Sequence, residues 1–435
     1  MRGLLEAVVP RYPDLSGVGR SIVITNSERN VAACPLRHWY RYVLGLDTPT
    51  EKVTAAGFGT GFHSVMETVF GAAKEADEVP TEDVAREAVE SVVEGWSSLV
   101  GETYDSDQFE SDSDRLREVV SAWWRGFDLE RFLGEFEVVD VERAFVAPIV
   151  NPETGTPLRA SMRIVEALDE SGSPILRLAR PGDEGWRRVQ WPWLFAGRVD
   201  LVVASRRTGA LWLLDHKTTT RPDGLASTLS TDPQAPSYAW TVEQSTGRRV
   251  AGFIWNIVDS ARPGDPRILK SGRLSLAARQ TVPSWKIEDY LAARNAETGE
   301  TTSEDESEFV AAQRARVDGR WSVFEQYGLR REDIEIAGRE IHADAVRLAG
   351  LYRSGLVDDR RALATTHPRV PVCKASGAFC SYRGPCSSDG ELARLAYEFR
   401  PAREWRRPTS SSSLDSTTSA EATSATTSTA GDLGW

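Results

Sequence analysis

The chain has 435 residues, 40% of them hydrophobic, and 52 Lys and Arg against 64 Asp and Glu leave a formal net charge of −12. That balance argues against a protein that coats polyanions through bulk basic charge, while leaving room for a local basic groove. No apolar run approaches a membrane span and the N-terminus lacks a signal-peptide apolar region, so the expectation is a soluble, cytoplasmic protein without a membrane partner, with core enough for one elaborated domain or two to three smaller ones.

Residues 1–20 read as a leader, and 21–75 predict an N-terminal helical region. After a short β-branched run at 21–25, Asn26 or Ser27 caps a helix to about residue 44, with a break or restart at Pro35 just after Cys34. Its segment RHWYRY is aromatic and basic, read first as helix packing and second as a nucleic-acid contact. Gly57-Phe-Gly-Thr-Gly61 then leads into FHSVMETVF, a helix on which His63 and Glu67 are neighbours. Taken alone, His63 reads as a packed or capping histidine rather than a ligand. Residues 76–134 predict a helical subdomain of two amphipathic helices, joined by the acidic, Ser-rich stretch DSDQFESDSD.

A sheet-bearing core is expected over 135–260. Its first strand is at 137–149, with Glu142 near the middle, where a structural role serves as well as a functional one. Residues 151–192, rich in Pro, Gly and charge, predict a hairpin insertion. Next comes FAGRVDLVVASRRTGALWLLDHKTTT, in which two β-branched and apolar runs flank Ser205-Arg-Arg-Thr-Gly209, a β-hairpin signal. With the turn centred between Arg207 and Thr208, paired residue numbers sum to 415 and Asp200 falls opposite Asp215, Cβ atoms about 5 Å apart. Two carboxylates that close both ionise comfortably only around a cation. Asp215 and Lys217 share a face while His216 points the other way. That face offers two hard oxygen ligands and an ammonium, a ligand set for Mg²⁺ or Mn²⁺. A lone Asp-x-Lys usually marks a solvated hairpin; here neither strand alternates apolar with polar, so both faces look covered, and buried acids need partners. Residues 232–244 predict a helix with Pro236 in its first turn, and VAGFIWNIV at 250–258 a strand returning to the sheet, the crossover of an α/β core.

Residues 261–371 predict a helical region, around SWKIEDYLAARNA and again over 304–354. Residues 372–400 hold a cysteine cluster and a terminal helix, and 409–435 collapse to a disordered Ser, Thr and Ala tail. Cys34, Cys373, Cys380 and Cys386 are too few for a disulfide-built fold, and metal ligation is the reading that uses all four. Without a Cys-x-x-Cys knuckle Zn²⁺ is weakened, a [4Fe–4S] cluster is equally open to four thiolates, and unligated buried cysteines are the plain alternative.

Asp200, Asp215-His216-Lys217 and Gln234-Ala-Pro-Ser-Tyr238 stand in the order of the metal-binding acid, acid-x-Lys and Gln-x-x-x-Tyr motifs of the PD-(D/E)XK nuclease superfamily, which the chain resembles in its RecB-like branch. Asp215 stands where Glu is common. Gly59-Thr-Gly-Phe-His63 matches that branch's Gly-x-x-x-His, which implies His63 as a metal ligand. The one-plus-three cysteine layout is similar to that of the AddB nuclease domain and the CRISPR-adaptation exonucleases, where such cysteines grip an iron–sulfur cluster. LDHKTTT with DPQAPSYAW looks most like compact phage nucleases, whose working place would be the host cytoplasm.

The resemblance implies a restriction-endonuclease-like α/β fold: a mixed β-sheet core flanked by helices, with helical insertions and a C-terminal Fe–S-stapled segment. It implies a metal-dependent DNA exonuclease acting on single strands or free ends in recombination, repair or phage DNA processing. Mg²⁺ or Mn²⁺ would be held by His63, Asp200, Asp215 and the His216 carbonyl. Lys217, Gln234 and Tyr238 complete the catalytic set, Arg198 could touch the scissile phosphate, and unwinding would need a recombination or helicase partner. The alternative is a catalytically weak DNA-binding or recombination scaffold, and a third reading is a zinc-stabilised structural protein.

Overall fold

One long strand organises the molecule. The computed structural model describes residues 22–43, 55–101, 105–168, 174–178, 183–277 and 281–353. The expected leader, the Cys373, Cys380 and Cys386 cluster with its terminal helix, and the Ser/Thr tail lie outside the described residues. Among the described residues the sheet is formed by β1 Ile22–Thr25, β2 Phe136–Pro148, β3 Arg159–Leu168, β4 Pro174–Leu178, β5 Arg187–Ser205, β6 Leu211–Thr219, β7 Val250–Asp259 and β8 Val323–Gly328. Their order is β4-β3-β5-β6-β7-β8, with β1 and β2 also paired to β5.

Along one edge β5 runs antiparallel first to β3 and then to β2. Its other edge takes β1 in parallel as far as Ala196, opposite Thr25, and β6 antiparallel from Leu201, opposite Leu214. Between these, residues 197–200 carry no ladder on that edge among the described residues, so β1 and β6 fork away from β5 there. The β6 register, Leu201 with Leu214 and Val202 with Leu213, is the expected sum of 415. β7 returns parallel to β6, through α7 Pro222–Leu229 and α8 Gln234–Thr246. Burial of nearly every β7 residue explains its mostly apolar run, interrupted only by the buried Asn256 before Asp259 closes the strand.

The helices preceding the core are α1 Asn26–Ala32, α2 Pro35–His38 with a π-helical turn at Trp39–Val43, α3 Ala55–Ala76, α4 Glu82–Ser97, α5 Ser106–Gly126 and α6 Leu129–Glu135. α3 presents Phe58, Phe62, Val65, Val69 and Phe70 at helical spacing to a core shared with α4, α5, Leu214 and Ile254. A second core contains Ala239 and Trp240 of α8, Leu213, Phe253 and Trp255 of the sheet, and Ile341 and Leu348 of α11 Arg331–Arg353. Between α8 and α11 come α9 Ser284–Thr298 and α10 Glu304–Arg316. None of the described helices is long and apolar enough to cross a membrane.

The structure corrects four local expectations. The DSDQFESDSD stretch is not a linker: Asp105 caps α5 by accepting the N–H groups of Asp107 and Gln108, and the acidic residues form its first turns. Residues 187–192, assigned to an insertion, are the first third of β5, where Pro192 sits at the change of partner from β3 to β2. The helix at 222–229 was not expected. Residues 304–354 are not helical throughout, because Val323–Gly328 forms the strand β8, paired with β7.

Candidate active site

The fork in the sheet is where the acids gather. With the β5–β6 ladder ended at Leu201 and Leu214, the next residue of each strand is Asp200 and Asp215. Asp200 Oδ2 then accepts the His216 N–H at 2.7 Å, side chain replacing main chain at the point of divergence. The His216 ring is turned away into the α3 layer, stacked on Phe70 and edge-on to Phe62, with Asn256 Nδ2 2.8 Å from its Nδ1. Burial holds that imidazole neutral, its pKa lowered to about 3.

Lys217 and Gln234 tie down the second acid. Gln234 opens α8, donates from Nε2 to Asp215 Oδ1 at 2.6 Å, and accepts from Lys217 Nζ at 3.0 Å. Lys217 Nζ also stands 2.6 Å from Asp215 Oδ2, an ion pair with a carboxylate that is itself buried. Tyr238, one turn on, packs against Gly197, where a Cβ would come within 2.9 Å of its ring. Burial first, and the nearby acids second, raise its phenol pKa.

His63 arrives from α3. Gly59, one turn earlier, lets that helix approach β6, since a Cβ there would stand 3.2 Å from Thr218 Oγ1. His63 Nδ1 lies 3.3 Å from Asp200 Oδ2 and 3.7 Å from Glu142 Oε1. His63, Glu142 and Asp200 each offer a ligand atom within 4.8 Å of the others, a grouping that does not extend to Asp215. Arg198 Nη1 faces Glu142 Oε2 at 3.5 Å.

Glu142 is the residue that sequence reasoning left undecided. The β2–β5 pairs on either side, Val141 with Leu201 and Arg143 with Val199, leave it facing Asp200. Its φ of +47° is unusual for a non-glycine residue and costs about 1–3 kcal/mol. The register that brings it there is set across an insertion and by a shift between Val138 and Asp140, neither of which a local pattern reveals.

The electrostatics are those of a site short of positive charge. Burial would lower the His63 pKa, yet hydrogen bonds to Asp200 and Glu142 outweigh it and raise it to about 10. Burial works against Asp200 ionisation, but His63 and the His216 N–H lower its pKa. Asp215 goes the other way: burial and then the Asp200 charge raise it to about 7, against the pull of Lys217. The residues present fit a hard divalent cation, with the Glu142 and Asp200 carboxylates and the His63 imidazole converging, and the Asp215 carboxylate next to the end of the β5–β6 ladder. Of the four cysteines only Cys34 is among the described residues; it is 4% exposed, and its Sγ accepts the Arg37 N–H at 3.4 Å.

The family pattern of the PD-(D/E)XK nuclease superfamily matches residues 27–386. The chain belongs to that superfamily, whose members are generally nucleases and use divalent metals such as Mg²⁺ or Mn²⁺. Its mixed sheet with flanking helices is consistent with the restriction-endonuclease-like fold. No curated protein matches the chain.

Proposed function

We propose that the protein is a metal-dependent deoxyribonuclease, an exonuclease of the RecB-like branch that hydrolyses phosphodiester bonds of single-stranded DNA or DNA ends, in the cytoplasm, during recombination, repair or phage DNA processing. The observation that carries this reading is the Lys217–Asp215–Gln234 triangle beside the His63–Glu142–Asp200 cluster. Asp200, Asp215, His63 and the His216 carbonyl would hold Mg²⁺ or Mn²⁺, which supplies Lewis-acid polarisation of the phosphate and a more acidic water. Lys217 orients the attacking water and offsets charge developing on the phosphate oxygens. Gln234 holds the Lys217 ammonium at Asp215, and Tyr238 braces Gln234 from Gly197. Arg198, whose side chain is 46% exposed beside Glu142, would touch the scissile phosphate.

A [4Fe–4S] cluster on Cys34, Cys373, Cys380 and Cys386 belongs to the same reading, with Zn²⁺ the alternative occupant. Its support is the layout of the sequence alone, one cysteine before the core and three after it. Iron and zinc analysis of anaerobically purified protein separates the two, and neither metal present would remove the cluster. The activity is tested with 5′-blocked and 3′-blocked labelled single strands in Mn²⁺. Cleavage from one end that disappears in Lys217→Ala is expected. An unimpaired Lys217→Ala enzyme would overturn the assignment, and a wild-type chain that binds but never cuts would leave a DNA-binding scaffold.

A further inference from the structure

α1 begins where the sheet forks. Thr25 closes β1 opposite Ala196, and its Oγ1 accepts the Glu28 N–H at 3.3 Å to cap the helix. Arg29 follows one turn into α1, beside β5. Its side chain is 9% exposed, and a guanidinium so enclosed requires partners for its charge and for its N–H groups. Nε donates to Asp344 Oδ2 of α11 at 2.8 Å, and Glu340 Oε2 of the same helix lies 3.8 Å from Nη2. Nη1 donates to Asn26 Oδ1 at 3.2 Å and to Ser237 Oγ of α8 at 3.0 Å, and the group stands 5.8 Å from the centre of the Phe195 ring on β5.

The two acids of α11 balance the charge. Ser237 brings none; it is fully buried and stands on α8 three residues after Gln234 and one before Tyr238. Phe195 is two residues before Gly197 and shares its face of β5, the face on which Tyr238 packs. Arg29 therefore touches α8 and β5 on either side of the Tyr238–Gly197 contact. α8 takes no side-chain cap from Pro233, so bonds from outside the helix set where its first turn lies. Asp232 Oδ1 holds the Gln234 N–H at 2.8 Å, and Arg29 holds Ser237. A tie from α1 to α11 needs only the Asp344 bond; the bond to Ser237 reaches the helix that carries Gln234.

We infer that Arg29 is a positioning residue of the site: through Ser237 it sets the first turn of α8 against β5, at the separation that lets Gln234 reach both Asp215 and Lys217. The inference rests on the nuclease reading and adds to it a side chain outside the reacting groups. A planar guanidinium suits the task, because its fork presents donors to two helices at once.

The test sets Ser237→Ala, which removes only the acceptor on α8, beside Arg347→Met. Arg347 makes a second tie between α1 and α11, from Nη1 to the Ala32 carbonyl, and bonds to no residue of α8 among those described. In Mn²⁺, Ser237→Ala and Arg29→Met should lower kcat by about tenfold or more at unchanged KM, toward the roughly 10²-fold that a 1 Å misplacement can cost. Arg347→Met should lower the Tm and leave kcat alone. Arg29→Met/Ser237→Ala should lose no more than Arg29→Met by itself, because both changes cut one link. Amide exchange over residues 234–240, followed in EDTA, should quicken in Ser237→Ala and stay at the wild-type rate in Arg347→Met. A wild-type kcat or wild-type exchange in Ser237→Ala, an equal kcat loss in Arg347→Met, or losses that multiply in the double variant would each overturn the positioning role. Should Arg29→Met fail to fold, Ser237→Ala against Arg347→Met decides. If the wild type cuts no DNA, the nuclease reading fails while amide exchange still decides whether Arg29 holds α8.

Discussion

At the Asp200 end of β5 the acids are enclosed and tied to named neighbours, whereas at the other end Arg187 and Arg188 are exposed. The same Coulomb interaction is several-fold larger in the first setting than in the second, because water screens the exposed groups. Removing one charge at the fork strands its partners; removing one at the wing barely disturbs the fold. The fork is therefore suited to hold a cation and do chemistry, while the exposed arginines are not.

The comparison is tested hardest at the fork. Lys217→Ala should lower the cleavage rate by about 10²–10³-fold, the loss expected on deleting one preorganised charge-stabilising group. Asp200→Asn should remove divalent-ion binding as well, seen by calorimetry, with the circular dichroism spectrum of both variants unchanged. Full activity in either would place the chemistry elsewhere. Gly197→Val comes next: its Cβ would meet the Tyr238 ring, so overpacking should cost about 1–3 kcal/mol in urea denaturation and misplace Gln234. A wild-type midpoint with wild-type activity would show that α8 can shift without consequence.

Three buried groups of the site set the pH dependence of the metal-free protein between about pH 4 and 10. Asp215 goes from 3.8 to about 7 and His63 from 6.5 to about 10, each binding more protons when folded, whereas His216 goes from 6.5 to about 3 and binds fewer. Stability is fully present below pH 4 for the first and below about 6.5 for the second. It is lost as pH rises through 7 and then through 10. The His216 contribution is present above about pH 6.5 and is lost as pH falls toward 3, so it offsets Asp215 between about 4 and 6.5, and the Asp200 shift acts only below 3.8. The Tm in EDTA should stay nearly level from pH 5 to 6.5 and fall from there to pH 9, and Mn²⁺ should restore more of it at pH 9 than at pH 6. A Tm that climbs over that range would contradict the crowding of acids at the fork.

How much of this could be read beforehand depends on how local the cause was. The hairpin register, the Asp200–Asp215 juxtaposition and the Gly59-to-His63 turn are written in short stretches, because a tight turn or one helical turn fixes each of them. Glu142 was not, since its facing of Asp200 depends on a long-range pairing and a register shift. β8 was missed because VFEQYG is largely exposed and does not alternate. The far end of β5 was missed because its charge and Pro192 resemble a loop, and only β3 makes a strand of it.

The smallest effect is expected at two adjacent arginines of the wing. Arg187 and Arg188 follow each other on β5, so their side chains lie on opposite faces, and Arg187 lies 3.7 Å from Glu166 with both groups well exposed. An exposed pair of that kind contributes at most about 0.5 kcal/mol, so Arg187→Gln should leave the urea midpoint nearly unchanged, and Arg188→Gln should do the same. A midpoint that falls well beyond that in Arg187→Gln alone would show that the Glu166 pair carries weight its exposure denies it.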